Sequence, residues 1–362
     1  MNFYTEEAKR CSFSVPLHAL RGLAAIIVLL CHLQQRVEEA FPGLTFAKFL
    51  NGSAAVNFFY VLSGLVVGAS LAKVGVSSSS SSIFFQRRFF RIMPLMFVTV
   101  TLGGLYLLHI DPYMKYSLIP KEYGEFSLAK FVVSYVGYSL KPNPPIWSIY
   151  VELVASLLIP LMILAGNKTS SIILGFVGCV LLSLVPIDFK HHWNFYMFCF
   201  YLGLTVLLWG KWLTARLATL PTAVFWLMVT VLFLAFYIPR LVTGAGFGNL
   251  WIVYWETACI TPLVAIVFYM PERFSLLYAG IFKFFGDVSF SLYLTHSLLL
   301  AVLLNAVTAV LGVTGFSAIV YCSLCIALSF IIALVSYHGI ELKGMRYGES
   351  LRGRAKPIAE AS

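Results

Sequence analysis

An arginine and a histidine stand eleven positions apart in one apolar run near the N-terminus, Arg21 at its start and His32 near its end. At about 100° per residue, this spacing makes three turns plus about 20°, with an axial rise of about 16 Å, so both side chains face the same way. Imidazole can take a proton from a hydroxyl near neutral pH, and a guanidinium can bind phosphate oxygens. A snorkelling arginine and an interfacial histidine have the same pattern, and spacing alone does not separate the two interpretations.

A second group of candidate residues precedes another apolar run, in the string QRRFFRIMP. It contains three arginines, Arg87, Arg88 and Arg91. Arg88 and Arg91 fall on adjacent helical turns, so the group can bind phosphates by bidentate hydrogen bonds. Taken alone, it is more typical of a cytoplasmic topology anchor.

Carboxylates inside apolar runs form a third group. Glu152 stands in the string PIWSIYVE, and Glu256 stands in another run. A carboxylate within a membrane is costly unless it is paired, so each predicts a partner such as a histidine or an arginine. We expect both in the outer half of the membrane, where His32 lies.

Two further strings add smaller polar groups. VNFFYVLSG contains Asn57 and Ser63, and FGDVSFSLYLTH contains Asp287, Ser289, Ser291, Tyr293 and His296. Each residue alone is more typical of a hydrogen bond between packed helices. Together they suggest a polar path through the membrane.

The composition indicates which kind of secondary structure contains these residues. Of 362 residues, 60% are hydrophobic and 11% are charged, and the mean hydropathy is +0.88. That is too apolar for a soluble domain of this size. The apolar runs are long and do not alternate, which favours membrane-spanning helices over a barrel. The predicted fold is therefore an all-α polytopic membrane bundle.

About ten spanning helices are predicted. They cover residues 17–35, 54–74, 88–109, 146–165, 169–186, 193–210, 221–238, 249–269, 284–311 and 315–338. Residues 128–140 are too short to span and are interpreted as an interfacial or re-entrant segment. The first run contains charge and lacks an adjacent cleavage site, so we expect a retained helix instead of a signal peptide.

The distribution of charge predicts topology. An even number of helices places seventeen of the Lys and Arg residues on the side of the termini and eight on the other, so both termini are predicted cytoplasmic. The net charge of +10 is then better explained by the orientation of the chain in the membrane than by nucleic-acid binding. The run Ser77–Ser82 is expected to be a flexible linker. We predict one membrane domain over 1–346 and a short, disordered cytoplasmic tail over 347–362.

The seven cysteines are scattered without CxxC spacing, so neither a disulfide framework nor a metal site is predicted.

Several of these strings resemble the acyltransferase-3 family of integral membrane O-acyltransferases, which includes bacterial polysaccharide and lipopolysaccharide O-acetyltransferases. The similar features are the arginine and histidine of the first helix, VNFFYVLSG, the RRxxRIxP pattern, Trp147 and Ser148 followed by Glu152, and the SxSLYLxH pattern. The resemblance spans about residues 17–340. His18 departs from the acidic or amide residue of many members and receives no role. The extracytoplasmic hydrolase-like domain of some members is not expected.

The resemblance implies acyl transfer, usually of acetyl from cytoplasmic acetyl-CoA, to a hydroxyl of an extracytoplasmic or lipid-linked glycan. Such a glycan is part of an exopolysaccharide, capsule or lipopolysaccharide at the bacterial inner membrane. His32 is then the catalytic base, and Glu152 orients it or stabilises the imidazolium. Arg21, Arg87, Arg88 and Arg91 are assigned to the phosphates of CoA. The residues assigned to the substrate or the oxyanion are Asn57, Ser63, Trp147, Ser148, Tyr293 and His296.

Other interpretations stay open at this point. An acyl-histidine intermediate is an alternative to direct transfer. A proton-coupled transporter or flippase also fits ten helices with buried charges, although the sequence has no internal repeat to support it. A catalytically inactive scaffold is a third. The expected partners are the bilayer and the glycan, without nucleic acid. The acceptor sugar and the oligomeric state are not predicted.

Overall fold

The computed structural model describes residues 2–9, 14–46, 49–119, 126–186, 190–246 and 249–351, and within these ranges the regular structure is entirely helical. The longer helices and the short ones that pack on them are α1 (Phe3–Lys9), α2 (Val15–Ala40), α3 (Gly52–Ala72), α4 (Ser78–His109), α5 (Leu128–Ser134), α6 (Ile146–Leu164), α7 (Thr169–Ser183), α8 (Trp193–Leu217), α9 (Thr222–Thr243), α10 (Leu250–Tyr269), α11 (Gly280–Leu311), α12 (Gly315–Ser336) and α13 (Leu342–Ser350).

Each of the ten predicted spans corresponds to one of these helices. In the described part of the chain, nine helices are long and apolar enough to cross a membrane. The tenth, α7, has 15 residues, about 22 Å at 1.5 Å per residue, which is short of a hydrocarbon core of about 30 Å. The apolar segment near 128–140 contains only the seven-residue helix α5. The protein is therefore a polytopic helical membrane protein, as its composition indicates.

Large apolar side chains cover the outside of several helices. On α9, Leu227 is 65% exposed and Val242 is 78% exposed. In water such a surface would be unfavourable, whereas lipid tails are as apolar as the side chains themselves.

The chain divides into two compact units, of which the first comprises Met1–Val76 and Ser148–Ser289. Within this unit, α3 and α8 pack closely together. A Cβ atom on Gly64 would overlap the carbonyl oxygen of Phe200, and one on Gly203 would overlap that of Val61. Small residues at such crossings let the backbones approach, which is how membrane helices gain packing energy.

The second unit comprises Ser77–Trp147 and Phe290–Ser362. In it, Gly103 of α4 leaves room for the carbonyl of Pro142, and Gly344 of α13 leaves room for the carbonyl of Phe90. The ring of Phe90 also packs edge-on against Tyr347, with 4.6 Å between centroids. Helix α13 therefore lies directly on the arginine-bearing segment of α4.

Two sequence-based expectations differ from the structure. Ser78 already belongs to α4, and Ser77 caps it by accepting a hydrogen bond from the backbone amide of Ser80, so the serine run is helical where a flexible linker was predicted. Serine favours caps because its hydroxyl binds the unpaired amides of the first turn. Residues up to Ser350 are helical too, so the predicted tail begins too early. Its remainder, 352–362, lies outside the described residues.

Candidate active site

His32 lies on one uninterrupted helix with Arg21, because α2 runs from Val15 to Ala40. The imidazole is half-buried. Its Nδ1 lies 3.1 Å from Oε1 of Gln35, one turn further along the helix. With this amide oxygen as the acceptor, Nδ1 carries the proton and the ring lone pair is on Nε2. A ring held in that tautomer has the form that a general base requires.

Glu152 and Ser63, both predicted from the sequence, are brought together. The hydroxyl of Ser63 on α3 donates to Oε1 of Glu152 on α6 at 3.1 Å. Ser148 lies one turn before Glu152 on α6 and is buried. Residues four apart share a helix face, so Ser148, Glu152 and the Ser63 hydroxyl make up one polar strip within the first unit.

Arg21 is bound by the first turns of α11. Its Nε donates to Oγ of Ser289 at 3.0 Å, and NH2 donates to the carbonyl of Gly286 at 3.0 Å. The same NH2 lies 3.4 Å from Nδ1 of His18, whose Nε2 lies 2.8 Å from Oδ1 of Asp287. His18 received no role from the sequence, although it stands one turn before Arg21 and so shares its helix face.

Asn57, predicted to contact the acceptor, holds a buried carboxylate instead of facing open space. Its amide donates a short hydrogen bond to Oε2 of Glu256. Arg240 donates to the same carboxylate through Nε at 2.7 Å and NH2 at 2.9 Å. Glu256 is 0% exposed, Asn57 2% and Arg240 5%. The arginine partner expected for Glu256 is thus confirmed, and its identity as Arg240 is new.

One feature of the sequence does point to Arg240 as the partner of a buried carboxylate. It is a basic residue directly after Pro239 in an otherwise apolar run. A cation in such a place predicts an anionic partner from a neighbouring helix. Its NH1 also donates to the carbonyls of Ala245 and Gly246, at 3.1 and 2.7 Å, so the guanidinium is well satisfied and its role is structural.

The three arginines of α4 belong to the second unit and are half-buried. Arg87 lies 3.7 Å from Glu349 of α13, with 40% and 62% of the two side chains exposed. The side chain of Arg91 makes no hydrogen bond or ion pair with any residue that the structure describes. A half-buried guanidinium without an internal partner is a suitable ligand for an anion.

Tyr293 and His296 lie in the second unit on α11, with 6% and 0% exposure. Nδ1 of His296 donates to the carbonyl of Leu292 at 3.0 Å, and the two rings are 6.2 Å apart. The hydroxyl of Tyr293 lies 3.5 Å from the carbonyl of Pro145, two residues before Trp147. The substrate-binding assignment of Tyr293, His296 and Trp147 stays a prediction.

One buried carboxylate in this unit was missed. Glu341 is 1% exposed and accepts a hydrogen bond of 2.8 Å from Ser291. It ends the π-helical turn Tyr337–Glu341 between α12 and α13. The sequence places Glu341 beside Lys343 and Arg346 near a helix end, a pattern more typical of a solvated surface than of a buried carboxylate.

Comparison with known proteins identifies the family. A family model described as an acyltransferase domain, acyltransferase 3, matches residues 16–338. Neither the curated proteins nor the solved structures contain a match to this chain. The matched region includes His32, Glu152 and the arginines of α4, and it ends before α13. The chain belongs to the acyltransferase-3 family and is a membrane-embedded acyltransferase.

Proposed function

We propose that this acyltransferase moves an acetyl group from cytoplasmic acetyl-CoA to a hydroxyl of an extracytoplasmic or lipid-linked glycan. The glycan would belong to an exopolysaccharide, a capsule or a lipopolysaccharide, and the membrane would be the inner membrane of a bacterium. The family supports acyl transfer over transport. The acetyl donor and the glycan acceptor follow from the resemblance of the helix motifs to polysaccharide O-acetyltransferases.

The hydrogen bond between His32 and Gln35 is the observation that carries the proposal. It fixes the tautomer with a basic Nε2 on a half-buried ring. Nε2 takes the proton of the acceptor hydroxyl while the oxygen of that hydroxyl attacks the thioester carbonyl. The new C–O bond forms, the C–S bond breaks, and the imidazolium returns the proton to the CoA thiolate. The products are the O-acetyl ester and CoA.

Glu152 is assigned to orient His32 or to stabilise its imidazolium during transfer. A carboxylate stabilises an imidazolium that comes close to it more strongly in a low-dielectric region than in water. The hydroxyl of Ser63 donates to one of its oxygens and so fixes the orientation of the carboxylate. The two residues together form an acceptor-side polar group, with Ser148 on the same helix face as Glu152.

Donor binding is assigned to arginines. CoA carries a pyrophosphate and a 3′-phosphate, and guanidinium groups bind such oxygens bidentately. Arg91 is the best placed of the α4 arginines because it has no partner among the described residues. Arg87 would exchange Glu349, an exposed partner at 3.7 Å, for phosphate. Arg88 and Arg21 complete the assignment.

The experiment is acetyl transfer by the purified protein in detergent. Acetyl-CoA labelled in the acetyl group is mixed with membrane and polysaccharide fractions of the source cells, and CoA thiol release is followed in parallel. We expect alkali-labile label on a glycan and matching CoA release. His109→Ala, an exposed histidine at the end of α4, is the control that should keep the activity. The proposal fails if neither CoA release nor labelled glycan appears with the wild type.

A further inference from the structure

Arg21 is fixed by more groups than a simple topology anchor needs. Its guanidinium has five donor hydrogens. Nε uses its hydrogen on Ser289, and NH2 faces both the Gly286 carbonyl and Nδ1 of His18. Ser289 is fixed in turn, because its hydroxyl donates to the Gly286 carbonyl at 2.7 Å.

The tautomer of His18 follows from its neighbours. The carboxylate of Asp287 can only accept, so the 2.8 Å contact makes Nε2 of His18 the protonated nitrogen. Nδ1 then carries the lone pair and accepts from NH2 of Arg21. The order of hydrogen bonds runs from Arg21 through neutral His18 to Asp287. Thus the negative charge of Asp287 acts on Arg21 through an oriented imidazole.

The backbone of the two helices is shaped for this arrangement. A Cβ on Gly286 would lie 2.5 Å from the carbonyl oxygen of His18 and 2.7 Å from its Nε2. A Cβ on Gly22 would lie 2.5 Å from the backbone nitrogen of Gly286. Only glycine at both places lets α2 and the start of α11 approach so closely that the ring of His18 lies over α11. The sequence therefore preserves space for this ring.

We propose that His18 and Asp287 are positioning residues for Arg21, and that they hold its guanidinium ready to bind a phosphate of the acyl-CoA donor. This inference rests on the proposed function, because it takes Arg21 as a donor-binding residue. A guanidinium that is already fixed loses little rotamer entropy when an anion binds, so affinity rises without a new contact. His18 acts through Arg21 and not on the substrate.

The test is CoA binding by titration calorimetry to the full-length protein in detergent. His18→Ala should weaken binding by about tenfold, the scale of a hydrogen bond to a charged group. His18→Gln should stay within about threefold of the wild type, because its amide can donate to Asp287 and accept from Arg21. Arg216→Ala, an exposed arginine on α8 over the ring of Trp212, controls for the loss of a basic side chain and should bind normally.

A double-mutant cycle distinguishes positioning from a purely structural role. In an Arg21→Ala background, His18→Ala should cause no further loss of CoA affinity. An equal loss in both backgrounds, or wild-type affinity for His18→Ala, would overturn the inference. Should His18→Ala fail to fold, Asp287→Ala tests the same chain of hydrogen bonds from the other helix and must show the same dependence on Arg21.

The two proposals fail in different ways. A wild-type protein that binds CoA but transfers no acetyl group contradicts the proposed function, and the cycle still decides the roles of His18 and Asp287. A wild-type protein that does not bind CoA contradicts both.

Discussion

Arg240 donates two hydrogen bonds to the carboxylate of Glu256, which has no exposed surface. This ion pair links α9 to α10, and Asn57 links α3 to them by donating a hydrogen bond to the same carboxylate. Both charges have left water, so the pair contributes little net stability compared with apolar side chains. Removing one partner is different, because the other charge stays buried alone.

The first prediction concerns this pair. Arg240→Ala should lower the free energy of unfolding by about 3–5 kcal/mol, since it leaves Glu256 uncompensated. Chemical denaturation in detergent measures the change. Glu39→Ala is the matched control: it breaks the Arg36–Glu39 pair of 2.8 Å on α2, in which the glutamate side chain is 41% exposed, and it should cost less than about 1 kcal/mol. Similar losses for the two variants would argue against a structural role for Arg240.

The crossing of α3 and α8 gives the second prediction. Gly64→Ala forces a methyl group into the carbonyl of Phe200, and we expect a loss of about 1–3 kcal/mol in unfolding free energy. Gly178→Ala on α7 adds the same methyl group with no atom within 4 Å, and it should be neutral or slightly stabilising. If Gly64→Ala is as stable as Gly178→Ala, the two helices do not pack this closely.

The third prediction concerns the donor. Arg91→Gln should raise the KM for acetyl-CoA by about tenfold, because a charge-assisted contact to phosphate is lost, and it should leave kcat nearly unchanged. Steady-state kinetics with saturating acceptor separate the two constants. Lys211→Gln, an exposed cation on α8, should behave as the wild type. An unchanged KM for Arg91→Gln would remove this residue from the donor site.

Membrane orientation gives the fourth prediction. Ser79 is exposed in the first turn of α4, and the distribution of positive charge predicts that it lies on the cytoplasmic side. A membrane-impermeant maleimide should label Ser79→Cys only after the cytoplasmic face is opened. Labelling from the outside of intact cells would invert the topology and separate the arginines of α4 from cytoplasmic CoA.

The sequence was sufficient to predict the helices and the family, but not the partners of the candidate residues. Spanning helices can be predicted from sequence because a continuous run of about 20 apolar residues satisfies its own backbone hydrogen bonds in lipid by forming a helix. The partner of Glu256 could be named only as a histidine or an arginine, since Asn57 and Arg240 reach it from 199 and 16 positions away. Periodicity within one helix carries no information about which helix lies opposite.

Other contacts escaped the sequence for a related reason. His18 was noted only as a departure from the family pattern, and its partner Asp287 lies 269 positions away on another helix. The predicted tail was read from polarity alone, and yet α13 packs on α4 because Gly344 and Gly348 allow close approach to Phe90 and Arg87. Such complementarity belongs to a pair of surfaces and is not visible in either sequence segment.

The central claim, that His32 is the base, is tested most directly by the fifth prediction. We expect His32→Ala to lower kcat for acetyl transfer by about 10²–10⁴, the usual contribution of a general base, with KM for acetyl-CoA within about twofold of the wild type. His109→Ala should retain the wild-type kcat. The measurement is kcat at saturating acetyl-CoA with a verified acceptor. A His32→Ala protein that is folded and turns over at the wild-type rate would contradict the account.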